Sequence, residues 1–268
     1  VAFCPADEGP ALSQHPSVDV VLFTGSAKIA RSIDMQCQAS QKRFVAECGG
    51  VNPVIVVPGE RPWTQAELEH QAAQIMSLAK FLGGAVCARP QVLVTCQKWP
   101  QRQAFLDCIE QAARDITPAA VSFYPGSDES FAKFQAEYRQ QGKVIEPEAG
   151  KYGERSRFLW IPGIDKPDGL LCQTEAFAQV TGEYPLDTEA NAEDFLDKAV
   201  PFCNNHLFGS LNCTILMDDR TRKVHDAALE KALTNLKYGS LAVNGAAAVA
   251  WCIPYLIWGG CGEEGKPI

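Results

Sequence analysis

Short β-branched apolar runs alternate along this sequence with longer stretches of helical periodicity, and that alternation restricts the fold more than any other feature. Val18 to Thr24 is one such run. It ends at Gly25-Ser26, and Ala27 to Ala39 then puts Ile29, Ala30 and Ile33 on one side of a helix. Phe44-Val45-Ala46 and Pro53 to Val57 are short buried strands either side of Gly49-Gly50. Thr64-Gln65-Ala66-Glu67 is a capping box, hydroxyl and carboxylate each covering a free amide at a helix start. The helix it opens carries Leu68, Ala72, Ile75, Ala79 and Leu82 on one face and stops at Gly83-Gly84. The pattern continues with a strand at Val92 to Thr95, a helix at Arg102 to Ile116 and a strand at Ala119 to Tyr124. Ser127 is expected to cap a helix bearing Phe131, Phe134 and Tyr138 and closed by Gly142. Strands near Arg157 to Ile161, Leu211 to Met217 and Gly239 to Asn244 enclose helices at Ala192 to Cys203 and Thr221 to Leu236. Such a chain is α/β, with a parallel or mixed sheet covered by helices on both faces.

Composition narrows the function classes. At 268 residues, 46% hydrophobic and 21% charged, the chain can bury a sizeable core. A net charge of -8 opposes nucleic-acid binding, which needs a basic surface to displace phosphate counterions. The longest apolar run, Ala246 to Trp258, contains Pro254 and falls short of the ~20 residues a membrane helix requires. The 11 cysteines form no CxxC pair, and the four histidines are dispersed, so no metal-ligand spacing appears. Thiols in apolar segments such as Phe202-Cys203 and Trp251-Cys252-Ile253 are expected to be buried and inert, in a reducing, cytoplasmic compartment. Asn212-Cys213-Thr214 is formally a glycosylation acceptor, but Val1 to Glu8 does not read as a secretory leader and none is expected, so chance is the better explanation.

Four segments could carry chemistry. Gly25-Ser26, between a strand and a helix, suits a phosphate approaching free amides, although such turns contain Gly for conformational reasons alone. Glu47 ends an apolar strand before two glycines; partial burial would let it act as a base, and helix capping or a lysine pair is the plain alternative. Cys87 lies on a Gly-rich connection, where a thiol can face a cleft and serve as a nucleophile or simply pack. Glu175, two residues before Phe177, could bond a ribose hydroxyl while the ring walls a site, or form an ordinary strand edge.

Taken together and in order, these segments resemble the aldehyde dehydrogenase superfamily from the start of the chain to about Gly260. The matching motifs are Phe23-Thr24-Gly25-Ser26, Glu47-Cys48-Gly49-Gly50 with Asn52-Pro53, Gly84-Ala85-Val86-Cys87 and Glu175-Ala176-Phe177. Asn204 to Leu211, Val243-Asn244 and Trp258-Gly259-Gly260 echo three later motifs. The resemblance implies an aldehyde-dehydrogenase-like catalytic domain over 48–245, preceded over 1–47 by the end of a Rossmann-like NAD(P)-binding domain. Residues 246–268 would be a truncated C-terminal return segment. It implies oxidation of an aldehyde to a carboxylic acid, with NAD or NADP as cofactor. Cys87 would be the nucleophile, Glu47 the hydrolytic base, Gly25 and Ser26 the pyrophosphate contacts, and Glu175 and Phe177 the ribose and nicotinamide contacts.

The family's N-terminal half, with its Asn oxyanion donor, lies outside this sequence. The piece alone is therefore expected to be inactive, needing that half or a partner chain, and a homo-oligomer is possible. Val51 stands where the family has Lys, Ala85 for Gln, Ala178-Gln179 for Gly-Pro and Trp258 for Phe. A non-catalytic binding or assembly module, or a thiol enzyme without redox chemistry, are the alternatives.

Overall fold

The computed structural model describes residues 6–115, 121–146, 156–256 and 258–261. After a short helix α1 (Gly9–Gln14), β1 (Val20–Gly25) runs into α2 (Ala27–Ala39), and β2 (Arg43–Cys48) returns parallel to β1. These two strands form a sheet of their own, in a register that sets Thr24 opposite Glu47 and Gly25 opposite Cys48. Ser26 caps α2, its hydroxyl accepting from the Ile29 amide at 3.4 Å.

The remaining strands form one seven-stranded sheet. It contains β3 (Asn52–Val56), β4 (Pro90–Cys96), β5 (Lys143–Ile145), β6 (Phe158–Ile161), β7 (Val180–Leu186), β8 (Asn212–Leu216) and β9 (Ser240–Val243). Their order is β5-β6-β7-β4-β3-β8-β9, all neighbours parallel except the antiparallel β5–β6 pair. Every residue of β3, β4 and β8 is buried, as strands covered on both faces must be. The connecting helices are α3 (Gln65–Ala79), α4 (Arg102–Asp115), α5 (Ser127–Glu137), α6 (Leu170–Gln173), α7 (Ala192–His206), α8 (Asp219–Val224) and α9 (Asp226–Asn235). The capping box at Thr64 is present: its hydroxyl accepts from the Glu67 amide, and Glu67 accepts from the Thr64 amide at 2.7 Å. Trp63, Trp99 and Phe105 meet edge-on or tilted where α3 and α4 pack together, with ring centroids 5.4–6.1 Å apart. No helix among the described residues is long and apolar enough to cross a membrane.

Several expectations are corrected. Residues 121–124 form no strand (119 and 120 lie outside the described residues). Ser127 is the first residue of α5 rather than its cap; Gly126 takes that place in a left-handed conformation, and the Ser127 hydroxyl donates instead to the Phe177 carbonyl at 2.8 Å. The helix expected over 221–236 breaks at His225, whose non-helical φ of -114° and ψ of 35° separate α8 from α9 and whose ring bonds Glu60 and Glu193. Cys252 is exposed, whereas seven of the ten described cysteines are buried. Strand β7 was not foreseen, because Gly182, Glu183 and Pro185 disguise it. Glu183 is wholly buried there only because Arg102 pairs with both its oxygens at 2.8 Å, while the Gly163 amide and the Thr95 hydroxyl also donate to it.

Candidate active site

The helix expected to run through Leu82 ends at Ala79, and the segment carrying Cys87 passes instead through three consecutive left-handed residues, Leu82, Gly83 and Gly84, at φ +48°, +65° and +79°. At Gly84 a side chain is excluded twice over: the φ is unfavourable, and a Cβ would lie 2.5 Å from the Ala178 carbonyl. That close backbone approach draws the connection against the start of β7. Cys87 follows, half-buried, three residues before β4. Its thiol is pushed up from the ordinary value, first by burial and then by the carboxylates of Glu175 and Glu47, while the backbone amides of Cys87 and Ala88 pull it down. The sulfur thus lies within electrostatic reach of two acid groups and close to two amides.

Glu47 lies at the end of β2, half-buried, and its charge reaches the Cys87 thiol. The glycines after it permit close packing on two sides. A Cβ on Gly49 would fall 2.1 Å from a Glu175 oxygen, and one on Gly50 would fall 2.8 Å from the Gly209 Cα. The Val51 amide donates to the Phe208 carbonyl at 2.7 Å, tying this turn to the segment before β8.

Glu175 sits on the loop between α6 and β7, which side chains from β4 and α5 hold in place. Gln91 accepts from the Ala176 amide and donates to the carbonyls of Leu171 and Thr174, each at 2.8 Å. Ser130 donates to the Ala176 carbonyl at 2.5 Å. Phe177 takes φ +46°, and its ring meets Tyr124 edge-on at 4.6 Å. Oε1 of Glu175 is buried and has no hydrogen-bond partner. Burial raises the carboxyl to about 7, against the opposing pull of the Arg89 guanidinium and the Gly50 amide. Arg89 is itself buried, spent on the Val180 and Ala79 carbonyls and the Thr181 hydroxyl, and burial lowers it to about 10.

A stability prediction follows from Glu175. Its folded value of about 7 exceeds the ordinary 4.5, so the native chain keeps a proton that the unfolded chain has lost between those values. Stability should therefore fall as pH rises through that window, by about 3 kcal/mol. Glu175→Gln should abolish this fall when urea unfolding is compared at about pH 5 and about pH 8. An unchanged fall in the variant would contradict the assignment.

Gly25 and Ser26 lie at the β1–α2 turn. They are linked to Glu175 through Cys48, which pairs with Gly25 and whose buried thiol feels both Glu175 and Arg31 of α2. The arrangement suits a dinucleotide: α2 offers first-turn amides without intrahelical partners, and Glu175 offers an unpaired buried acceptor. Sequence inspection passed over Arg89, Gln91 and Asn212. A charged residue directly before an apolar strand, as at Arg89, was the available signal. Asn212, formally a glycosylation acceptor, is buried at the start of β8.

Comparison with known proteins follows the same lines. A profile described as the aldehyde dehydrogenase family matches residues 4–121. The chain is 27% identical over 278 residues to N-succinylglutamate 5-semialdehyde dehydrogenase of Sphingopyxis alaskensis, covering 97% of this chain and 52% of that protein. It is 26% identical over 220 residues to betaine aldehyde dehydrogenase of Sinorhizobium fredii, covering 81% and 39%. The fold superposes on an NAD-dependent aldehyde dehydrogenase from Sinorhizobium meliloti with a TM-score of 0.74 at 18% identity, covering 97% of this chain and 49% of that one. An indole-3-acetaldehyde dehydrogenase complexed with NAD+ gives 0.70 at 21% identity, covering 88% and 46%. The chain spans about half the length of most of these relatives.

Proposed function

The chain belongs to the aldehyde dehydrogenase superfamily, and from that premise we propose that it is the catalytic half of an enzyme oxidising an aldehyde to a carboxylic acid. Residues 1–47 would end a nucleotide-binding domain, 48–245 would form the catalytic domain, and 246–268 would begin a return segment. Of that last stretch, 257 and 262–268 lie outside the described residues. Activity would belong to the whole polypeptide, or to a complex that supplies the other half.

The observation that carries this reading is that Cys87, Glu47 and Glu175, from three distant parts of the chain, lie near enough for both carboxylates to act on the thiol. In the proposed reaction the Cys87 thiolate adds to the aldehyde carbonyl, and the Cys87 backbone amide stabilises the resulting oxyanion. A bound oxidised nicotinamide, NAD or NADP, would supply the acceptor for the hydride that leaves the aldehyde carbon. Glu175 and Phe177 would hold its ribose and ring, and Gly25 and Ser26 its pyrophosphate. Loss of the hydride leaves an acyl group on Cys87 as a thioester. Glu47 then takes a proton from water, which attacks the thioester, and the acid departs as the Cys87 sulfur is regained.

The full-length gene product, given an aldehyde panel with NAD or NADP, should form reduced nicotinamide only when an aldehyde is present. Absence of turnover across that panel would favour a non-catalytic module.

A further inference from the structure

Three consecutive carbonyls beside the thiol are held by side-chain amides from two other strands. Asn52 of β3 donates from Nδ2 to the carbonyls of Cys87 at 2.7 Å and Arg89 at 2.9 Å. Asn212 of β8 donates from Nδ2 to the Ala88 carbonyl at 3.3 Å, and its backbone N–H donates to Asn52 Oδ1 at 3.3 Å. Both asparagines are buried, at 1% and 4% exposure. Water therefore cannot take over their role, and neither is placed to touch solvent for another purpose.

Peptide planarity turns these contacts into control of the amides. A trans peptide sets C=O and N–H in opposite directions, so fixing one fixes the other. Holding the Cys87 carbonyl through Asn52 thus fixes the direction of the Ala88 N–H. Holding the Ala88 carbonyl through Asn212 fixes the Arg89 N–H, which donates to the Val86 carbonyl at 3.2 Å. The Val86 carbonyl in turn sets the Cys87 N–H.

We propose that Asn52 and Asn212 are positioning residues that aim the backbone amides of Ala88 and Cys87 at the Cys87 sulfur, Asn52 directly and Asn212 through the Val86–Arg89 turn. This rests on the proposed role of Cys87 and adds the means by which its environment is set. The two amides are also the groups that lower the thiol's pKa against burial and the two carboxylates. Asn212 belongs to none of the motifs that mark the family resemblance, so its part is visible only in the folded chain.

The test follows alkylation of Cys87 by iodoacetamide as a function of pH in the 268-residue chain, with labelling read on the Cys87 peptide by mass spectrometry. Asn212→Leu and Asn52→Leu keep the bulk and add no charge. Each should move the midpoint up by about one pH unit, giving roughly tenfold slower labelling near neutrality. The plateau at high pH should stay unchanged. Asn212→Ser, a milder change that leaves a shorter donor, should move the midpoint in the same direction by less, and it serves where the leucine variants do not fold. A folded variant with a lowered melting temperature and an unshifted midpoint would reduce the asparagines to structural supports and overturn the proposal. Alkylation needs neither aldehyde nor nicotinamide. A shifted midpoint in a protein that oxidises no aldehyde would therefore uphold the positioning role while defeating the proposed reaction.

Discussion

Arg102→Met is expected to destabilise the chain by about 3–5 kcal/mol, because it strands a buried carboxylate. Glu183 has no exposed surface, and Arg102 supplies two of its hydrogen bonds at 2.8 Å, from Nε and Nη2. The Gly163 amide and the Thr95 hydroxyl remain after the substitution, but neither carries a full positive charge. At this chain length the loss corresponds to a fall in melting temperature of roughly 10 °C. Arg102→Met combined with Glu183→Met should recover most of it, since replacing both members of a buried pair by apolar groups is often close to neutral. A double variant no more stable than Arg102→Met alone would mean that the damage lies in lost packing of the arginine stem.

Cys87→Ser should lower kcat/KM for aldehyde oxidation by the full-length protein by about 10³-fold or more, with cofactor affinity unchanged. A serine hydroxyl ionises far less readily than a thiol, and the carboxylates of Glu175 and Glu47 both oppose a negative charge at this position. Steady-state kinetics together with a fluorescence titration of the nicotinamide would separate the two effects. Activity comparable to the parent would remove Cys87 from the reaction.

How far the site was legible in the sequence depended on whether a feature was local. The strand-Gly-Ser-helix turn at residues 20–39, the capping box at Thr64 and the apolar runs within strands β3 and β4 follow from side-chain pattern alone, and the structure contains all of them. Strand β7 was hidden, because a buried glutamate reads as a surface residue until its arginine, 81 positions away, is seen beside it. The break at His225 was equally hidden, since the ring's partners Glu60 and Glu193 come from other elements. In the site, family motifs marked Glu47, Cys87 and Glu175, and periodicity gave no hint that they lie near one another. The groups that shape the surroundings of Cys87 were the least legible. Asn52 and Asn212 act across 35 and 124 positions of sequence, and Arg89 reaches Thr181 across 92. Such contacts are fixed by sheet order, β4 beside β3 and β3 beside β8, which no local pattern records.

The central claim is that Cys87 carries the acyl group and Glu47 delivers the water that releases it. The most direct measurement is intact-protein and peptide mass spectrometry of the full-length Glu47→Gln variant, quenched in acid after mixing with an aldehyde and nicotinamide cofactor. The expected result is one equivalent of acyl mass on the peptide containing Cys87, formed together with one equivalent of reduced nicotinamide and released slowly. Acyl mass on any other residue, or steady turnover by that variant with none trapped, would contradict it.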